Sequence, residues 1–107
     1  MLPQSVPDLV DPDGLIQKYN VEPAGSIVRH HPYVVQHRPY FEERGIRIDR
    51  PDLTQPIYQS EHDIVHGYRI PEKGLNELWH EFIRKYPDAT RSEVLAEGER
   101  LRRYFGK

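Results

Sequence analysis

The segment 27-IVRHHPYVVQH-37 places two adjacent histidines, His30 and His31, directly after a short β-branched run. Isoleucine and valine favour extended backbone, and the Pro-Ala-Gly sequence before the run and Pro32 after it limit its length. We therefore predict a short strand that ends in the two histidines. Whether these imidazoles form a site depends on what the rest of the chain brings near them.

A second pair of histidines lies further along the chain, in the segment 59-QSEHDIVHGY-68. Ser60, with Asp63 three residues later, predicts a capping box at the start of a short helix, and the glycine after the segment's last histidine ends it. His62 and His66 are four residues apart, so they lie on the same face of that helix.

The composition limits the kinds of site that the chain can form. The sequence has 107 residues, of which 36% are hydrophobic and 30% charged, with ten prolines and no cysteine. A chain of this length forms one domain with a modest core. Without cysteine, any metal ion must be held by histidine, carboxylate or carbonyl ligands. The net charge of −2 argues against nucleic-acid binding through a broad basic face.

The pattern along the chain divides it into an arm and a domain. Residues 1–25, rich in proline and aspartate, are predicted to be a loosely structured arm or linker with at most one short helix near 13–20. Residues 26–107 form the folded domain. The first ten residues lack the basic start and apolar middle of a signal peptide, and no apolar run approaches the roughly 18 residues of a membrane span. We therefore expect no membrane insertion of this segment.

The remaining elements of the domain are predicted from hydrophobic spacing and from helix and strand end signals. They are a helix over 34–44, extended pieces over 46–49 and 53–59, an amphipathic helix over 74–86, and a final helix capped by Thr90 and the glutamate three residues later. Two short strands with several helices define an α+β fold with additional C-terminal helices.

The order of these elements indicates a metal site. Two histidines one helical turn apart can both reach one ion, and a third from a neighbouring strand gives three ligands with positions left for water or phosphate. The fourth histidine is then left over as a base, because neutral imidazole, with a pKa of about 6.5, suits proton abstraction near neutral pH.

The motifs 29-RHH-31 and 61-EHDIVHG-67, with an extended segment between them, resemble the His-Me finger (HNH) nuclease superfamily. The closer similarity is to its bacterial toxin branch, which includes predicted toxin modules on lipoproteins, and it covers residues 26–107. The resemblance implies a ββα-metal core and one divalent metal ion, Mg, Mn, Ni or Zn.

The resemblance also implies a role for each histidine of the two motifs. His30, His62 and His66 would be the metal ligands, and His31 the general base that activates water for attack on a phosphodiester. The arginines that would bind the scissile phosphate are Arg29, Arg38 and Arg69.

The chain departs from the superfamily at the residue that orients the base. An asparagine typically follows the His-His pair, but residues 32–61 contain none. Gln55 or Gln59, or a backbone carbonyl, would have to replace it.

The functional hypothesis is a metal-dependent endonuclease that hydrolyses nucleic acid, with DNA favoured over RNA as the substrate. It would be the toxin module of an antibacterial effector, secreted or translocated to act in the cytoplasm of a target bacterium and blocked by a cognate immunity protein. One alternative is a catalytically degenerate nuclease-like domain that serves as a metal-stabilised interaction module. A second is a metal hydrolase with another substrate, although the chain lacks the His-Glu-x-x-His motif of zincin proteases. His37 is predicted to be solvated or structural, and His80 to be structural.

Overall fold

The computed structural model of the chain describes residues 14–107, which contain five α-helices and a two-stranded antiparallel sheet. The elements in chain order are α1 (Gly14–Lys18), β1 (Ile27–His30), α2 (Arg38–Glu42), β2 (Gln55–Tyr58), α3 (Gln59–Val65), α4 (Leu75–Lys85) and α5 (Arg91–Phe105). Single 3-10 turns occupy Val35–His37 and Pro51–Leu53. The mixed content agrees with the α+β class that the sequence predicts.

The two-stranded sheet of β1 and β2 has one covered and one exposed face. Side chains alternate along a strand, so His30 and Val28 lie on the same face of the sheet. In β2, Gln55 lies opposite His30, and Ile57 lies opposite Val28. Ile57 is buried on this covered face. Helix α3 follows β2 without a loop and contacts both strands. The order strand, strand, helix thus brings the end of β1 close to α3.

Helix α4 buries its apolar face in the core, as its amphipathic sequence predicts. Its inward face buries Leu75, Leu78, Trp79 and Phe82. The Trp79 ring packs edge-on against Phe41, with 4.9 Å between ring centroids. Its indole Nε1–H donates to the backbone carbonyl of Pro32 at 2.8 Å. This bond anchors α4 to the loop that follows β1.

Helix α5 closes the other side of the core and has the cap that the sequence predicts. The backbone N–H of Glu93 donates to the Thr90 hydroxyl at 3.2 Å, and the Glu93 carboxylate accepts from the Thr90 N–H at 2.9 Å. Gly106 ends the helix at φ +91°, in the left-handed region where glycine is favoured. The capping box is therefore confirmed.

The predicted continuous helix over 34–44 is wrong. The structure has a 3-10 turn at Val35–His37 followed by the short helix α2, with Pro39 in its first turn. Proline has no N–H to donate, so Pro39 fits the first turn of a helix and not its interior. The non-helical backbone of His37, at φ −115° and ψ 29°, separates α2 from the preceding 3-10 turn.

The segment 46–49 forms a loop and turn instead of the predicted extended piece. Ile46 and Ile48 are nevertheless buried, and the Ile46 N–H donates to the Phe41 carbonyl at 3.0 Å. The two isoleucines therefore anchor a loop to the core. Alternation of apolar and polar residues alone does not distinguish such a loop from a strand.

The capping box predicted from Ser60 and Asp63 is also wrong. Helix α3 begins one residue earlier, and the Glu61 carboxylate accepts from the Tyr58 N–H at 3.0 Å. The Ser60 hydroxyl instead donates to the Glu22 carbonyl at 2.8 Å and accepts from the Ala24 N–H. Ser60 thus attaches the segment before β1 to the start of α3.

The short helix predicted near 13–20 is present as α1, and its Leu15 and Ile16 belong to the core. The first thirteen residues of the predicted arm lie outside the described residues, and the boundary at residue 25 stays a prediction. Within residues 14–107, no helix has both the length and the apolar character that a membrane crossing requires.

Candidate metal centre

Three histidines from two elements converge at one point. His30 is the last residue of β1 and is 1% exposed. His62 lies within α3, and His66 follows its last residue, so the two are separated by one helical turn. One ring nitrogen from each of the three lies within 4.8 Å of the other two. We call these residues the histidine triad.

The spacing of the triad fits a single metal ion. The Nε2 atoms of His62 and His66 are 3.0 Å apart. Two nitrogens bound tetrahedrally to one zinc-sized ion would be about 3.4 Å apart, so small ring rotations suffice to reach that geometry. Across residues 14–107, this is the one group of three or more histidines, cysteines or acids with such proximity.

The environment keeps the triad neutral, which is the form that binds metal. Burial, followed by the charges of His62, His66 and His31, lowers the pKa of His30 to about 3. Burial also lowers the pKa of His62 and of His66. Three uncharged imidazoles can therefore remain close together at neutral pH.

One nitrogen of the triad lacks a partner within the described part of the chain. The Nδ1 atom of His30 is buried and makes no hydrogen bond there. Leaving a buried polar atom unsatisfied costs about 1–3 kcal/mol, and buried polar groups in folded proteins are nearly always paired. Imidazole nitrogens are ligands that divalent transition metals such as zinc bind well. An unpaired one beside two further imidazoles is therefore suited to metal binding.

Two glycines allow the close backbone approach that holds His66. A side chain at Gly74, just before α4, would place its Cβ 2.4 Å from the His66 carbonyl oxygen. Gly67 has φ +77°, and a Cβ there would meet the backbone N of Gly74 at 2.9 Å. The start of α4 therefore packs directly on the end of α3 that carries His66.

The fourth histidine points to a carboxylate outside the triad. His31 Nε2 is 3.0 Å from Asp49 Oδ1, and Asp49 Oδ2 is 2.5 Å from Arg38 Nη1. Hydrogen bonds from Arg38 and, to a lesser extent, from His31 hold the pKa of the Asp49 carboxyl below its ordinary value. The loop that carries His31 is fixed by the Trp79 bond to Pro32.

The two glutamines proposed to orient His31 have other positions. Gln55 lies opposite His30 in the strand register, and its buried Nε2 has no hydrogen-bond partner within residues 14–107. Gln59 donates to Asp63 at 2.9 Å. The hydrogen bond that the structure gives the His31 ring is made by Asp49. The sequence does not indicate Asp49 as a partner of His31. Residues 46–49 are predicted to be extended, and nothing in the sequence predicts that they lie beside the end of the first strand.

The three candidate phosphate-binding arginines differ in their surroundings. Arg29 donates to the Thr54 hydroxyl at 3.1 Å, and Arg38 is paired with Asp49. Arg69 is exposed just after α3, has φ +63°, and forms no ion pair within the described residues. A cleft of about 670 Å³ opens beside the Asp49 loop. Its charged lining residues are Arg38, Glu42, Arg47, Asp49 and Arg50.

The two remaining histidines lie outside the triad. His37 and His80 stack on each other, with ring centroids 5.6 Å apart and an interplanar angle of 22°. This packing agrees with a structural role for both residues.

Comparisons of the chain with protein-family models, curated proteins and solved structures find no match. Function must therefore be inferred from the geometry and chemistry of the site. The relation to His-Me finger nucleases remains a hypothesis carried by the histidine motifs.

Proposed function

We propose that the chain is a metal-dependent phosphodiesterase that cuts nucleic acid, DNA in preference to RNA. The observation that carries this proposal is the convergence of three neutral imidazoles from a strand end and a short helix. A fourth imidazole, that of His31, directly follows His30 in the sequence. The fold we propose is the ββα-metal core of His-Me finger nucleases, and the element order β1, β2, α3 supports this proposal.

In this proposal His30, His62 and His66 hold one divalent ion. A bound ion supplies positive charge that stabilises the attacked phosphate and the leaving oxygen. Imidazole ligands suit zinc and nickel, whereas magnesium and manganese prefer oxygen ligands, so all four metals belong in the test.

His31 acts as the general base. It takes a proton from a water molecule whose oxygen forms a new bond to phosphorus, while the bond between phosphorus and the 3′ oxygen breaks. The leaving 3′ oxygen takes a proton from solvent, which gives a 5′ phosphate and a 3′ hydroxyl. A positioned general base contributes about 10²- to 10⁴-fold to such a step.

Two of the candidate arginines, Arg29 and Arg69, bind the substrate backbone. Arg69 has no competing acid within the described residues, and Arg29 bonds only a neutral hydroxyl. An arginine contacts a phosphate through two parallel N–H donors, so each is available for one phosphate. Substrate binding therefore depends on a few local contacts around the triad.

A plasmid-cleavage assay tests the enzymatic proposal. The purified 107-residue chain should nick or linearise plasmid DNA with at least one of magnesium, manganese, nickel or zinc. His31→Ala should lower the cleavage rate about 10²- to 10⁴-fold while leaving fold and metal affinity intact, because the base does not ligate the ion. His62→Ala should lose both metal and activity.

His80→Ala is the matched control, since His80 is an exposed histidine outside the triad, and it should cut like wild type. If the folded wild-type chain cuts neither DNA nor RNA with any of these metals, the enzymatic proposal is wrong. A metal-stabilised interaction module then becomes the better account, which the net charge of −2 and the pairing of Arg38 with Asp49 favour.

We place this activity in an antibacterial toxin that acts in the cytoplasm of a target bacterium. A cell that makes such a toxin needs a cognate immunity protein. An inhibitor that covers the cleft would present acids to the arginines around it.

A further inference from the structure

The loop before β2 carries an aspartate in direct contact with the proposed base. Asp49 accepts from His31 at 3.0 Å through one carboxylate oxygen, and its other oxygen is 2.5 Å from Arg38 Nη1. Arg38 Nη2 is 3.4 Å from the oxygen that faces His31. Two neighbouring side chains therefore bind the same carboxylate from different directions.

This contact decides which nitrogen of His31 is free. An ionised carboxylate is only an acceptor, so Nε2 of a neutral His31 must carry the hydrogen that it donates to Asp49. Nδ1 is then the nitrogen with a lone pair. The ring is held with one nitrogen fixed to the protein and the other available to take a proton.

The carboxylate itself is held in place. The loop is anchored by Ile48, whose side chain is 0% exposed, immediately before Asp49. The Asp49 side chain is 60% exposed, so water competes for it. Arg38 counters that competition, and Arg38 is further paired with Glu42 at 3.5 Å.

We propose that Asp49, held by Arg38, is the positioning residue that orients His31 and fixes its tautomer, in place of the asparagine that the chain lacks. This inference rests on the proposed function of His31 as the base. It gives Arg38 a different role from phosphate binding, because its guanidinium is used to hold Asp49.

An ordinary surface ion pair would behave differently. Such pairs contribute about 0–1 kcal/mol to stability and affect no catalytic step. Removing the hydrogen-bond partner that orients a metal-bound histidine costs about 10- to 100-fold in activity, and we expect a loss of the same order for the partner that orients a base. The kcat of an Asp49 variant therefore distinguishes a positioning residue from an ordinary surface ion pair, whereas its melting temperature does not.

The first test is a double-mutant cycle on plasmid cleavage. Asp49→Ala should lower kcat about 10- to 100-fold with little change in KM or metal affinity. In the His31→Ala background the same change should have no further effect, because its only route to activity is through that ring. Asp52→Ala is the matched control: Asp52 is also exposed and pairs with Arg50 near the same loop, at 3.0 Å, and its removal should leave kcat unchanged.

A wild-type level of kcat in Asp49→Ala would overturn the proposal, as would an equal loss in the His31→Ala background. The proposed function fails in a different way, through absence of cleavage by the wild-type chain itself.

The second test needs no activity. Long-range proton–nitrogen NMR of the zinc-loaded chain, above the ordinary imidazole pKa of about 6.5, reports which ring nitrogen carries hydrogen. We expect His31 to show a fixed tautomer with hydrogen on Nε2 in wild type and in Asp52→Ala. In Asp49→Ala the ring shifts should move to the averaged values of a free imidazole. Averaged shifts in the wild-type chain would overturn the proposal whether or not the chain cuts DNA.

Discussion

At the scale of single residues, the site depends on an imidazole that folding encloses completely. His30 is 1% exposed and lies against two further imidazoles, so a proton on any of the three is unfavourable for the others. The burial that favours the neutral, metal-binding form of His30 should also make the metal-free protein sensitive to acid.

We predict that the metal-free chain loses stability as the pH falls below neutrality. The pKa of His30 is about 3 in the folded protein, below its ordinary value of 6.5, so the unfolded chain binds the additional proton in that window. Stability is therefore fully present above the unfolded pKa and declines as the pH falls towards the folded pKa. Between about pH 6.5 and pH 5 this group alone should cost about 2 kcal/mol.

The measurement is the urea midpoint with a chelator present, at both ends of that interval. His30→Gln cannot titrate at this position and should show a weaker dependence than wild type. An identical midpoint for wild type at the two pH values would contradict the burial of His30.

The histidines were predictable from sequence, and their orienting partner was not. A strand-ending His30 and the four-residue spacing of His62 and His66 follow from local periodicity, which sequence records directly. Asp49 reaches His31 through a loop whose path depends on where Ile46 and Ile48 are buried. That burial is decided by the whole core, and the alternating pattern of the two isoleucines does not reveal the path of the loop.

At the scale of elements, the helices with strong apolar stripes or caps follow from sequence, whereas short elements do not. Helix α4 and the Thr90 cap of α5 match the sequence because their signals are local. Helix α2 has Pro39 in its first turn, and Glu61 caps the start of α3. In these short elements, one hydrogen bond or one proline ring has more influence on where the helix begins than the spacing of apolar residues has.

The junction of α3 and α4 gives the prediction at this scale. Gly74→Ala should displace His66, because the added Cβ would lie 2.4 Å from its carbonyl oxygen. We expect a fall in zinc affinity of at least tenfold together with a loss of about 1–3 kcal/mol from overpacking. Isothermal titration with zinc and urea unfolding measure the two effects.

Gly45→Ala is the control for that experiment. Gly45 has φ +72° with open space around it, so alanine there costs about 1–2 kcal/mol of backbone strain without touching the triad. Its zinc affinity should equal that of wild type. If both variants lose affinity equally, the α3–α4 junction has no specific role in holding His66.

At the scale of the whole molecule, a toxin role predicts that the chain is harmful to the cell that makes it. Expression of the wild-type chain in a bacterial cytoplasm should stop growth, because the proposed product is broken DNA. His31→Ala should be tolerated at the same level of folded protein, since it removes only the base. Colony counts after induction, with protein abundance measured in parallel, check this outcome; normal growth with abundant wild-type protein would count against the toxin assignment.

The most direct test of the metal centre is the anomalous scattering of a crystal of the chain grown with zinc or manganese. We predict one strong peak with ring nitrogens of His30, His62 and His66 at about 2.0–2.3 Å from it. The His31 ring should lie near the ion without ligating it and should remain bonded to Asp49. An ion bound away from the triad, or a triad that stays metal-free in a crystal holding that ion elsewhere, would contradict the account.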